Sequence, residues 1–255
     1  MAAGARIYIV RSVTWLALTL ICIALVAGVV AERAVGMGLS LVAAPMLVVA
    51  IGPVDAVRLL VLLALPINLG NTLLMRRSVN AREVIRIAIP ALLLMPVFAF
   101  AVEHAPRAAL TILAGLACVT AAAVIASGSS VRGLDGTGGA IAAGAGSAAL
   151  NAIAGLSGPP VALYAANAGW QRDHLRANLQ AYFLLLDLVA IPSLGLPHLA
   201  PEGAVAATVS AAAGFAVGAL IAGRISERGV RWAVLAASAA GGLSAVGFGL
   251  LSLLA

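Results

Sequence analysis

The sequence predicts an all-α polytopic membrane protein, with about ten hydrophobic segments in two inverted five-segment repeats and broken or re-entrant helices at the bilayer midplane. Three observations lead there. The 255-residue chain is 63% hydrophobic and only 9% charged, and its mean hydropathy of +1.13 lies outside the range of soluble domains. Apolar runs long enough to cross a ~30 Å hydrocarbon core recur from end to end. Finally, the same punctuating motifs occur in the same order in both halves. A transmembrane β-barrel would need ~10-residue segments of alternating polarity instead, and the sequence has none.

The first five segments fall at residues 12–31, 37–52, 56–75, 84–102 and 107–127, and the second five at 138–153, 157–169, 176–196, 203–223 and 230–254. The first segment follows Arg6 and Arg11 and contains "VAGVVA", a pattern that can also serve as a cleavable signal. Its ~20 apolar residues exceed a signal core, and an uncleaved first helix is expected. The polar stretch "SGSSVRGLDGTGG" separates the sets. It gives a first repeat at 1–127, a linker at 128–138 and a second repeat at 139–255.

Repetition is legible in three places. "VGMG" at 35–38 matches "AGLS" at 154–157; Asp55 with Arg58 matches Asp173 with Arg176; "EHAPR" matches "ERGVR". Ordered self-similarity of this kind indicates duplication, with an insertion near "LPHLAPEG" absorbing the change in offset. Charge then orients the copies. The third segment is followed by Arg76, Arg77, Arg82 and Arg86, whereas its counterpart ends in "LPHLAPEG" without Arg. The fourth reverses the bias, with one Arg in "EHAPR" against Arg224, Arg228 and Arg231 in "RISERGVR". Positive loops face the cytoplasm, so equivalent loops lie on opposite sides. That scheme puts Arg6 and Arg11 outside, against the charge rule.

Broken segments point to the site. Residues 157–169 are too few for a full span, and Pro159 and Pro160 stop any helix entering from 138–153, because proline lacks the N–H and clashes with the preceding turn. The first-half counterpart, "GMGLSLVAAP", is interrupted by Gly36 and Gly38 and is expected to end at Pro45. In inverted-repeat transporters such discontinuous helices meet at the midplane and form the substrate site. Gly155, Ser157 and Gly158 permit several N–H groups to converge, and a helix beginning near Pro159 adds positive dipole character. Asn151, Ser157 and Tyr164 can add neutral donors. A small anion fits that donor set. The alternative for these small residues is close helix packing, the preferred reading for "AAGAGSAA".

Other polar positions are secondary. Asp187, in "FLLLDLVAIP", is read as the sole carboxylate well inside an apolar span and as a proton-coupling candidate. Asn68 and Asn71 share one helix face and either line the cavity or bridge helices. Arg58 and Arg176 either attract an anion or pair with Asp55 and Asp173; Gln180 shares the face of Arg176. Cys22 and Cys118 lie in apolar runs and read as core residues. No metal-ligand spacing, phosphate loop or nucleophile–base pattern occurs, so no cofactor, metal or catalytic group is expected. All fifteen basic residues are Arg, mostly in short loops, and the net charge of +6 reads as a topology signal with no nucleic-acid partner.

With "GMGLSLVAAPML", "GLSGPPVALY" and "LRANLQAYFLLLD" in place, the chain resembles the TauE/SafE family of sulfite and organosulfonate exporters, from about residue 15 to 254. The resemblance implies proton-linked or facilitated transport of small sulfur-containing or carboxylate anions across the bacterial inner membrane. First-half copies in that family often read Gly-x-Gly-Gly-Gly; here Leu39 and Ser40 follow Gly38. Expected partners are a small anionic substrate and the lipid bilayer, and a homo-oligomer is left open. An integral-membrane enzyme and a non-transporting scaffold or assembly factor are the other readings.

Overall fold

The computed structural model describes residues 15–36, 38–127, 135–221 and 226–254. Arg6, Arg11, Arg224 and residues 128–134 of the expected linker lie outside them. Among the described residues the secondary structure is helical: α1 (Trp15–Val35), α2 (Leu39–Ile51), α3 (Pro53–Met75), a 3-10 turn (Arg76–Ser78), α4 (Ala81–His104), α5 (Arg107–Ser127), α6 (Gly136–Ala154), α7 (Gly158–Asn167), α8 (Arg172–Leu194), α9 (Pro201–Ile221) and α10 (Glu227–Leu254). Seven helices, all but α2, α6 and α7, are long and apolar enough to cross a membrane. With 13 and 10 residues, α2 and α7 span only about 20 and 15 Å. Glycine, serine and asparagine keep α6 below the apolarity of the seven.

Helix ends explain themselves locally. α6 stops where Gly155 turns left-handed (φ 68°), a conformation that costs any residue with a Cβ about 1–2 kcal/mol. Gly36 does the same after α1 (φ 85°). Pro159 and Pro160 sit in the first turn of α7; there a missing N–H is harmless and the fixed φ suits the helix. They therefore start the second helix, and Gly155 ends the first. Pro45 departs from expectation, because α2 runs through it to Ile51. Its ring packs where α10 offers Gly241, and this close contact accommodates the local kink. The first segment also departs: α1 continues four residues beyond the expected end at Ala31.

Two buried apolar clusters organise the bundle. One joins α1, α2, α5, α9 and α10 with one face of α3; the other joins α4, α6, α7 and α8 with the opposite face of α3. Across the middle, α3 and α8 run antiparallel: Arg58 Nε donates to the Leu194 carbonyl at one end, and Asn71 Nδ2 to Gln180 Oε1 near the other. α5 and α10 are antiparallel as well, with Ser238 on Cys118 and Arg231 on Ile125. By contrast α9 follows α1 in parallel, Gly214 against Val26 and Gly218 against Val30. α6 follows α4 in the same way, Thr137 beside Arg86 and Gly144 beside Ile87 and Pro90. These directions put the Arg76–Arg86 turn and the start of α10 at one end of the bundle. The α4–α5 and α8–α9 turns lie at the other.

Candidate functional site

The seam between the clusters encloses a cavity of ≈ 50 Å³. One ordered water needs about 10–15 Å³, so several waters or one small oxyanion fit. Its wall comes from both interruptions. Leu39, Ser40 and Leu41 open α2, while Gly155, Leu156, Ser157, Gly158 and Pro159 lead into α7. The two touch: a Cβ on Gly155 would sit 3.7 Å from Ser40 Oγ. Four more polar side chains complete the wall, namely Glu32 on α1, Asn68 on α3, Asn151 on α6 and Asp187 on α8. Each is no more than 6% exposed.

The first break is tied down. The Leu39 N–H donates to Glu32 Oε2 at 3.1 Å, so a carboxylate caps the positive end of α2. Gln180 Nε2 donates both to Glu32 Oε1 at 3.0 Å and to the Gly36 carbonyl at 3.1 Å. Asn71 links Gln180 to Arg33, whose Nη1 donates to Asn71 Oδ1 at 3.4 Å. Gly38 must lack a side chain for packing reasons, since a Cβ would come within 2.5 Å of Ala31 backbone carbon.

The second break is held by neutral groups. Ser147 Oγ donates to the Ser157 carbonyl at 2.7 Å, and Asn151 Nδ2 to Ser157 Oγ. No side chain caps α7. Its backbone donors are fewer than the sequence suggests. The Gly155 and Leu156 N–H groups already serve Asn151 and Leu150 carbonyls, and Pro159 and Pro160 have none. Ser157 and Gly158 remain. The left-handed angle expected somewhere in this turn falls on Gly155, and Gly158 has no positive φ.

Asp187 accepts a 2.7 Å hydrogen bond from Asn68 Nδ2 across the α3–α8 contact. Among the expected residues, Asn68, Asn151, Gly155, Ser157, Gly158, Pro159 and Asp187 thus share one cavity wall. Gly36, Asn71 and Gln180 form the network behind it. Pro160 packs on Gly146, Tyr164 lies edge-on to Trp170, and neither lines the cavity. Arg176 Nη2 reaches the Arg33 carbonyl at 3.5 Å, beside Gly36. Arg58 is held by Leu194, His198 and Asp55, and neither arginine lines the cavity. Sequence reasoning missed Ser40, Phe183 and, above all, Glu32, which makes Asp187 one of two carboxylates on the wall. A signal existed. Glu32 precedes Gly36 by four residues, just as Asn151 precedes Gly155.

Residues 20–245 match the family model described as Sulfite exporter TauE/SafE. The chain belongs to the TauE/SafE family. No curated protein and no solved structure matches it. A TauE/SafE chain with seven membrane-crossing helices is a multi-pass membrane protein of a transporter family.

Proposed function

We propose that this TauE/SafE protein is a secondary transporter that exports a small oxyanion, such as sulfite, an organosulfonate or a related carboxylate, across the bacterial inner membrane. The observation that carries it is the meeting of two glycine-broken helices, α2 and α7, at one buried cavity. Irregular backbone at membrane depth persists only where it lines such a space. The uncapped start of α7, with the Ser157 and Gly158 N–H groups and the Ser157 hydroxyl, supplies neutral anion donors. Asp187, buried at 3% exposure and held by Asn68, is the candidate proton carrier.

An inverted pair of repeats accounts for the helix directions. Under the pairing α1/α6 to α5/α10, the counterparts α3 and α8 are antiparallel, as are α5 and α10. The parallel contact α1–α9 has its counterpart in α6–α4. A two-fold axis in the membrane plane generates these relations. Purified protein in sealed vesicles should move sulfite, thiosulfate, an organosulfonate or a small carboxylate faster than protein-free vesicles. No flux of any of them, from monodisperse protein under either pH gradient, rejects transport.

A further inference from the structure

The transport reading leaves an electrostatic problem, and its solution rests on that reading. The cavity that is to receive an anion is lined by two carboxylates, Glu32 and Asp187, and by no Arg or His. An anion entering beside an ionised carboxylate in a water-poor space is repelled far more strongly than in solution. Glu32 is also special in its contacts. Its carboxylate already occupies the N-terminus of α2 through the Leu39 N–H, while the N-terminus of α7 carries no side-chain cap. The residue in the same register before the second break, Asn151, is the uncharged amide. Asn151 is 2% exposed, and its Oδ1 has no hydrogen-bond partner. A buried, unpartnered polar atom on the cavity wall calls for an occupant.

We propose that Glu32 is a built-in anion of the transport cavity and that it takes up one proton when the substrate anion binds at the second break, so that anion and proton are bound together. The charged groups that face Glu32 are few. Asp187 and Arg176 come from α8, the latter on the Arg33 carbonyl. Arg33, on α1 itself, is drawn towards Asn71 and the Phe215 ring. α2 and α6 contribute no charged residue, and Asp55 and Arg58 sit at the far end of α3 beside Leu194 and His198. No cation therefore shares the cavity wall to neutralise Glu32. A proton does so, and linkage makes the effect reciprocal: the bound anion strengthens the hold on the proton by the same factor as the proton strengthens binding. Asn151 completes the arrangement by meeting the occupant with an amide where Glu32 would present a charge.

The test is calorimetry on the purified full chain with methanesulfonate, which keeps its single charge between pH 5 and 8, in buffers of differing ionisation enthalpy. Wild type should take up about one proton per anion near pH 8, and its affinity should fall up to about tenfold per pH unit above the Glu32 pKa. Glu32→Gln should bind about tenfold or more tightly than wild type at pH 8, with a flat pH profile and no proton uptake. Asp187→Asn should retain the uptake. Zero uptake in wild type with normal binding, or uptake that survives in Glu32→Gln, overturns the inference and leaves transport standing. If Glu32→Gln is not recovered folded, Asp187→Asn decides, since loss of uptake there assigns the proton to Asp187. Absence of methanesulfonate and sulfite binding at every pH overturns the transport reading together with this inference.

Discussion

The two breaks do the same geometric job with different chemistry. Each follows a helix that ends on a left-handed glycine, Gly36 or Gly155, and each leads into a helix too short to span a bilayer. At the first, an acidic side chain one turn before the glycine reaches across and caps the new helix. At the second, an amide in that position holds a serine hydroxyl and leaves the helix end uncapped. Across the cavity the order is reversed, with the amide Asn68 on α3 and the acid Asp187 on α8. Each half thus brings one acid and one amide to the same wall. The backbone geometry of the break is common property, and the charge at its rim decides which helix end is open to an anion.

The sharpest way to break this comparison is to give the second break the chemistry of the first. Asn151→Asp should lower anion affinity at pH 8 by about 100-fold, as expected for like charges ~5 Å apart at an effective dielectric near 20. The loss should shrink at pH 5 as the new carboxyl is neutralised. Equal loss at both pH values would mean that the amide acts by shape alone.

Backbone changes come next. Gly155→Val forces a β-branched residue to φ 68° with Leu60 3.3 Å from its Cβ, and should destabilise the protein by about 2 kcal/mol in thermal unfolding. Gly158→Val asks for no unusual angle. It should leave the melting temperature nearer to wild type while removing anion binding, because its side chain branches at the mouth of α7. Reversal of the two melting shifts would show that the strained turn has been placed at the wrong glycine.

Smaller effects follow from single polar groups. Ser157→Ala removes one hydroxyl from the second break and should cost about 1 kcal/mol of binding, roughly fivefold; a loss above 100-fold would make that hydroxyl the centre of the site. The weakest effect is expected of Arg176→Gln. Its guanidinium is committed to the Arg33 carbonyl behind the first break, so anion affinity should change by no more than about twofold, since exposed or committed charges act weakly through solvent. Complete loss of binding in that variant, with the fold intact, would move the site away from α7 and onto the arginine.

Much of this was legible in the chain itself, because membrane helices announce themselves by long apolar runs. The starts of α3, α4 and α8 lie within four residues of the expected positions, and the glycine–proline interruptions sit where the helices break. The small residues at the cavity were also readable, since Gly-Pro-Pro is costly in lipid unless backbone is being exposed to something. Tertiary structure alone decided the charge of the site. Glu32 stands at the end of an apolar run, next to Arg33, and a linear reading counts it as part of a polar loop. Only the packing of α1 against α2, close enough to exclude a Cβ at Gly38, turns that carboxylate inward onto Leu39. In the same way Arg58, Arg176 and Tyr164 have the right chemistry for an anion site, but their side chains are claimed by Leu194, Arg33 and Trp170. Sequence fixes which groups are available; the fold fixes which are already bound to one another and which remain free for a ligand.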